Sequence, residues 1–192
     1  MGRREDLADA GVRLTARGGT RALTHRAVDA EAGVPSGSTS YYASTRRELT
    51  ALVVDRITSQ LAEDLVALQI PEQVDEDAVV SIAVGFLEHL AARDVAQSVR
   101  LALLLELRDD AELRGPLTGA DPVRAALIDT ARTLLERIDV VAPERCAVDL
   151  VGLVDALLLY RTAAVAPLDE GSILGAYVAG LPRRATRGHR TH

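Results

Sequence analysis

Apolar residues recur at helical spacing through most of this chain, and the first such stretch lies close to the N-terminus. Leu7, Ala10 and Leu14 fall on one stripe with a period of three to four residues. This spacing predicts an amphipathic helix over residues 3–16, ended by the adjacent glycines Gly18 and Gly19. The pattern predicts helices, not strands, from the outset.

Two very short helices are predicted next. Thr24 is well placed as the N-cap of a helix over residues 25–32, which ends at Gly33. The next helix, residues 35–42, has almost no apolar content and reads Pro-Ser-Gly-Ser-Thr-Ser-Tyr-Tyr. A solvated helix of this length is marginal alone, so its neighbours must hold it while it presents hydroxyls outward. This arrangement is typical of a helix-turn-helix that reads the DNA major groove, and a polar loop of the same composition is the alternative.

Longer periodic segments follow, and they indicate an all-α protein of about nine helices. They cover residues 46–68, 75–91, 95–108, 111–117, 122–138, 143–163 and 170–179. Hydrophobic residues make up 48% of the chain but aromatic residues only 3%. The core must therefore be built from Ala, Leu, Val and Ile, a mixture dominated by helix formers.

Charge is unevenly distributed along the chain, whose net charge is −6. Residues 1–50 carry eight arginines against six acidic residues, a net charge of +2. The remainder carries fourteen arginines against 22 acidic residues, a net charge of −8. The asymmetry suggests an N-terminal module that faces an anion.

Several classes of protein are excluded by what the sequence lacks. Cys146 is the single cysteine, so neither an intramolecular disulfide nor a multi-thiolate metal site is expected, and a cytoplasmic location fits. The longest apolar stretch, residues 150–160, is interrupted by Asp155, so we expect no membrane span. The four histidines are scattered, and no metalloprotease, paired-cysteine or phosphate-loop motif occurs. We therefore expect no enzyme activity, no catalytic residues, no metal and no cofactor.

A set of motifs near the N-terminus carries a resemblance to a known family. They are Gly19-x-x-x-Leu23-Thr24, Val28-x-x-x-Ala32-Gly33-Val34, Gly37, Tyr41-Tyr42 and Arg46-x-x-Leu49. In order and spacing, over about residues 5–57, they resemble the N-terminal domain of TetR-family transcriptional regulators. Three positions depart from the family pattern, which usually has a small apolar residue at Asp29, a Tyr at Ser40 and a Phe at Ala43.

The resemblance implies a division of the chain and a set of DNA contacts. It implies a DNA-binding helix-turn-helix domain at 1–47, a ligand-binding and dimerisation domain at 48–182, and a basic tail at 183–192 that we expect to be disordered. Ser36, Ser38, Thr39 and Tyr41 would face the groove, where Gly37 allows a close backbone approach. Thr24, Arg26, Tyr42 and Arg46 would contact phosphates. For Arg46 the alternative is a solvated pair with Arg47 that interacts with nearby acids.

Two of the long helices, residues 122–138 and 143–163, are too apolar for a single buried face. The resemblance implies that they form a four-helix bundle with a second copy, which supplies the other face. We therefore predict a twofold-symmetric homodimer that places two helix-turn-helix domains on a pseudo-palindromic double-stranded DNA operator. A central helix of a monomer is the alternative.

The resemblance also implies a small-molecule effector site in the C-terminal body. The candidates are aromatic residues and polar residues embedded in apolar stretches: Phe86, His89, Gln97, Arg100, Glu106 and Tyr160. Glu106 either faces a pocket or pairs with a nearby arginine, and His89 could equally be a structural histidine. The mostly aliphatic surroundings favour an apolar effector. A helical ligand- or protein-binding module with a degenerate DNA-binding head is the alternative function.

Overall fold

The structure of the protein, a computed structural model, describes residues 2–118 and 121–184. Within these residues the chain forms ten α-helices and one short 3-10 helix, Gly115–Leu117. The helices are α1 (Arg3–Ala22), α2 (His25–Glu31), α3 (Ser38–Tyr42), α4 (Arg46–Ala67), α5 (Glu76–Ala91), α6 (Asp94–Glu106), α7 (Ala111–Arg114), α8 (Pro122–Arg137), α9 (Pro143–Thr162) and α10 (Glu170–Ala179). The predicted all-α fold class is confirmed. None of the helices in the described ranges is long and apolar enough to cross a membrane.

The described residues divide into two compact units. Unit 1 contains the residues up to Leu68 together with 89–125, and unit 2 contains 69–88 together with 126 onward. Unit 1 is thus assembled from two separate stretches of chain, because α1 packs against α6 as well as against α2 and α4. The functional division at residue 47 stays a prediction.

The core of unit 1 is aliphatic. Its cluster of buried residues includes Leu7, Leu23, Val28, Leu49 and Val53, each at most 1% exposed. Full burial of each such side chain contributes about 1.5–3 kcal/mol relative to exposure. The cluster also includes Ala43, directly after α3, so both very short helices are anchored to this core.

The first helix is longer than its sequence pattern predicts. It runs to Ala22, with non-helical geometry at Gly18 and Gly19. Gly19 takes φ +65°, a conformation that favours glycine, so the glycine pair interrupts the helix instead of ending it. Thr20 then anchors the resumed turn, because its carbonyl oxygen accepts from Arg46 Nη2 at 3.0 Å and its hydroxyl donates to Glu106.

The fourth helix begins with a capping box. Thr45 Oγ1 accepts from the backbone N–H of Glu48 at 3.1 Å, and the Glu48 carboxylate accepts from the backbone N–H of Thr45. Such a box satisfies donors that a helix start would otherwise leave unpaired. The direction in which the chain leaves the helix-turn-helix is therefore fixed locally.

Unit 2 is held by aliphatic packing and a few long-range polar contacts. Its fully buried side chains include Leu87, Leu135, Leu158 and Leu174. Tyr177 donates to the Cys146 carbonyl oxygen at 3.0 Å, and burial raises the pKa of the Tyr177 hydroxyl to about 12. The α9 and α10 helices are thereby joined on one side.

The start of the predicted basic tail is hydrogen-bonded. Arg183 forms an isolated antiparallel bridge with Val140, and the backbone N–H of Arg184 donates to the Asp139 carbonyl at 2.7 Å. Arg183 also forms an ion pair with Glu76 at 2.9 Å. Residues 185–192 of the predicted tail lie outside the described residues.

Candidate nucleic-acid interface

The candidate interface is built on the turn between α2 and α3. Thr24 caps α2 as predicted, because its hydroxyl accepts from the backbone N–H of Ala27 at 3.2 Å. Gly33 takes φ +65°, which is the left-handed conformation expected where α2 stops. Gly37 takes φ +95° and is the N-cap of α3.

The predicted start of α3 at Pro35 was wrong by three residues. The helix begins at Ser38, because the left-handed Gly37 interrupts any helix arriving from Pro35. Residues 35–38 instead form a turn in which the Ser38 hydroxyl donates to the Pro35 carbonyl at 2.6 Å. The sequence left two alternatives for this segment, a polar loop and a polar helix. The first part of the segment is a loop, and the rest is a helix.

The side chains of this segment differ in exposure. Tyr41 is 84% exposed, Ser36, Gly37 and Ser40 are also exposed, and Ser38 is half-buried. Thr39 is completely buried, and its hydroxyl donates to Asp29 at 2.5 Å. Its expected place facing the groove does not fit this burial, since both the hydroxyl and the backbone N–H are engaged inside the protein.

Two tyrosines end the helix. The rings of Tyr41 and Tyr42 lie edge to face, with centroids 5.0 Å apart and planes at 82°. Tyr42 is 39% exposed, less than half the exposure of Tyr41. The pair stiffens the exposed end of a helix that has only five residues.

The arginines near the turn are used in different ways. Arg26 is exposed and has no ion pair among the described residues. Arg46 is also exposed and donates to the Thr20 carbonyl at 3.0 Å. Arg47 forms ion pairs with Asp110 and Glu112 at 3.1 and 2.8 Å. The predicted alternative of pairing with nearby acids therefore holds for Arg47, whereas Arg46 bonds to a backbone oxygen.

Asp29 is the residue of this site that the sequence pattern did not assign a role. It is 3% exposed, and its carboxylate accepts from the backbone N–H of Gly37 and from both donors of Thr39. In the sequence, the only indication that Asp29 has a role here was its departure from the family pattern. The other buried departure, Ala43, is 1% exposed, and its carbonyl accepts from the Nε2–H of His25 at 2.7 Å.

The six predicted effector residues are divided between the units. Phe86 and Tyr160 belong to unit 2, where Phe86 is buried and Tyr160 is 43% exposed. The other four belong to unit 1 and have protein partners. His89 Nε2 lies 2.8 Å from Asp64 Oδ1, Gln97 Oε1 accepts from Arg100 Nε at 3.1 Å, and Glu106 is exposed and accepts from Thr20.

Unit 1 also carries an open groove of about 420 Å³. Its lining includes Asp9, Arg13, Gln60, Arg93 and Asp94, so it is more charged than an apolar effector requires. None of the six predicted effector residues lines it. Sequence spacing could not have found it, because its walls come from three separate stretches of the chain.

Comparison with known proteins places these features in one family. A family model described as tetracyclin repressor-like, C-terminal domain matches residues 74–186, more than half of the chain. No curated protein matches the sequence.

Solved structures share the fold over nearly the whole chain. A TetR-family member from Streptomyces coelicolor A3 is 24% identical, covers 95% of this chain and 99% of its own, and has a TM-score of 0.71. A transcriptional regulator from Rhodococcus sp. Rha1 is 21% identical, with coverages of 93% and 95% and a TM-score of 0.76. The multidrug binding protein EbrR, complexed with ethidium, is 27% identical, with coverages of 92% and 96% and a TM-score of 0.63.

The N-terminal half of the chain supplies the helix-turn-helix, and the C-terminal half supplies the match to the family model. The solved structures carry both halves in one all-helical fold. The chain belongs to the TetR family of ligand-responsive, DNA-binding transcriptional regulators.

Proposed function

We propose that the chain is a cytoplasmic, dimeric repressor that binds a pseudo-palindromic operator and leaves it when a small-molecule effector binds. The observation that carries this proposal is the hydroxyl-rich surface of α3 and the turn before it, together with the exposed Arg26 of α2, which has no ion pair with any residue that the structure describes. Hydroxyls donate and accept at base edges, and guanidinium groups bind phosphates.

Within this surface, two groups of side chains have different roles. Ser36, Ser38 and Tyr41 reach base edges, and Gly37 lets the backbone approach the groove. The phosphate contacts are made by Thr24, Arg26, Tyr42 and Arg46. Thr39 is left out, because its hydroxyl is committed to Asp29 inside the protein.

The exposed face of α9 supports the proposed dimer. Val148, Gly152, Ala156 and Leu159 are exposed at spacings of four, four and three residues, so they lie along one face of the helix. Val148 is 52% exposed and Leu159 is 42% exposed. The small residues between them allow close approach of a second helix. The α9 helix of a second copy would cover this face.

The effector is proposed to enter the C-terminal body near Phe86 and Tyr160. An apolar effector fits the aliphatic surroundings, whereas structures of the similar protein EbrR contain malachite green, proflavin or ethidium. The effector must bind the DNA-free conformation more tightly than the DNA-bound one, and DNA must then weaken effector binding by the same factor. A competition series of fatty acids against these dyes, read out by operator release, decides between the two chemical classes. A compound that binds the protein and leaves operator affinity unchanged is not the effector.

The direct test of the proposed function is retention of genomic DNA. Fragmented DNA from the organism that encodes the chain is incubated with the purified protein at about 0.15 M salt, and the retained fragments are sequenced. The expected result is one inverted-repeat site, whose transcription in vitro falls as the protein is added. Activated transcription would remove the repressor assignment. If a folded dimer enriches no DNA fragment, the alternative function is favoured. That alternative is a helical ligand- or protein-binding module with a degenerate DNA-binding domain.

A further inference from the structure

Asp29 lies on α2 but binds α3 and the turn before it. Its Oδ2 accepts from the backbone N–H of Gly37 at 2.7 Å, and its Oδ1 accepts from the backbone N–H of Thr39 at 2.8 Å. The Thr39 hydroxyl donates to the same Oδ1 at 2.5 Å. One buried carboxylate therefore holds three donors at the start of the polar helix.

This carboxylate replaces a cap that α3 cannot make for itself. The first N–H groups of any helix have no partner within the helix, and the N-cap of α3 is a glycine with no side chain to offer. A five-residue helix also has too few internal hydrogen bonds to hold its own conformation. The position of α3 thus depends on Asp29 more than on its own sequence.

The electrostatics favour an ionised Asp29. Burial acts to raise the pKa of Asp29, but the hydrogen bonds from Thr39 and Gly37 and the nearby His25 outweigh it and leave the pKa below its ordinary value. Hydrogen bonds to an ionised acceptor are roughly twice as strong as neutral ones. The contact is therefore a stiff one.

We infer that Asp29 is a positioning residue for sequence recognition: through Gly37 and Thr39 it fixes the rotation and depth of α3 in the groove. The inference rests on the proposed operator binding. The side chains of Ser36, Ser38 and Tyr41 can read base edges in one register only if the helix and the turn that carry them are fixed. Phosphate contacts from residues outside α3, such as Arg26, do not depend on the hydrogen bonds that Asp29 accepts.

The test compares specific with non-specific DNA affinity in folded variants. Asp29→Asn keeps the shape but turns an N–H donor toward the donors of Gly37 or Thr39. The expected result is a loss of about 10- to 100-fold in affinity for the operator, with affinity for unrelated duplex DNA changed less than about twofold. Circular dichroism and thermal unfolding verify that the variant is folded.

A second pair of variants keeps the inference falsifiable if Asp29→Asn does not fold. Thr39→Val removes one donor while retaining the shape, and Thr39→Ser retains the donor. We expect the valine variant to lose operator specificity and the serine variant to keep it.

Three results separate the inference from the proposed function on which it rests. Unchanged specificity in Asp29→Asn and Thr39→Val refutes the inference and leaves the proposed function standing. An equal loss of specific and non-specific binding also refutes it, since it indicates a general structural role. Failure of the wild-type protein to select any operator refutes both.

Discussion

At the scale of single residues, Arg26 is the clearest candidate for a direct phosphate contact. It lies on α2, two residues after the cap residue Thr24, is exposed, and has no ion pair among the described residues. A charge in this state can neutralise a phosphate without first losing an internal partner.

We expect Arg26→Ala to weaken binding to operator and to unrelated DNA by a similar factor. Because one counterion fewer is released, the slope of log affinity against log salt should fall by about one. Fluorescence anisotropy titrations at several salt concentrations measure both quantities. The matched control is Arg132→Ala, which removes an arginine paired with Asp129 and Glu136 on α8 and should leave the slope unchanged. A loss confined to the operator would contradict the phosphate role.

The lowered pKa of Asp29 predicts a pH dependence of stability. Because the folded-state pKa lies below its ordinary value of 3.8, Asp29 adds stability that is fully present above that value. The stability is lost as pH falls below 3.8 toward the folded pKa. Urea unfolding of the wild type and Asp29→Asn at pH 7 and at pH 3 checks this. The difference in unfolding free energy should shrink on acidification, and a constant difference would contradict it.

At the scale of elements, α1 and α4 approach unusually closely at Gly11. A Cβ atom built at Gly11 would lie 2.7 Å from Val53 Cγ2, and Val53 is a stiff, buried side chain of α4. A helix–helix contact this close leaves no room for a methyl group.

Gly11→Ala should therefore destabilise the protein by about 1–3 kcal/mol, even though alanine is the better helix former. The control is Gly85→Ala in α5, where a Cβ meets no atom within 4 Å. That variant should be neutral or stabilised by up to about 1 kcal/mol. Thermal unfolding of both variants measures the contrast, and equal shifts would show that α1 can move away from α4.

Helix positions were largely predictable from the sequence, and the exceptions have physical causes. Thr24 and Gly33 mark the ends of α2 by local chemistry, and the structure confirms both. The extension of α1 to Ala22 depends on hydrogen bonds from Thr20 to Glu106 and from Arg46 to Thr20, whose partners are distant in sequence. The late start of α3 follows from the left-handed Gly37, whose conformation Asp29 stabilises from another helix.

In the whole molecule, simultaneous binding of both operator half-sites depends on the proposed interface on α9. Ala156 lies at the centre of the exposed stripe from Val148 to Leu159. An arginine there would project a charge into the close helix–helix contact that small residues permit.

We expect Ala156→Arg to convert the proposed dimer to a folded monomer of about 20.5 kDa and to abolish binding to the full operator. Sedimentation velocity at micromolar concentration measures the mass. Val66→Arg is the control, because Val66 is 87% exposed but belongs to α4 and not to the proposed α9 stripe, and it should leave the proposed dimer intact. A wild-type protein that sediments only as a monomer would remove the dimer from the proposal.

The effector site was less predictable than the helix-turn-helix. The segment proposed to face DNA is contiguous, so spacing alone brings Ser36 to Tyr42 together. A pocket is formed by residues distant in sequence, and four of the six predicted residues instead bond to protein partners such as Asp64 and Thr20. Periodicity identifies which side chains are buried, but it does not determine what surrounds them.

The central claim is that this chain reads DNA sequence with α3, and selection from a random duplex library tests it most directly. The purified protein is taken through several rounds of selection at about 0.15 M salt, and the retained duplexes are sequenced. We expect one motif with inverted-repeat symmetry, whose two half-sites are about one helical turn or a multiple of it apart. A folded protein that enriches no motif would contradict sequence recognition by α3.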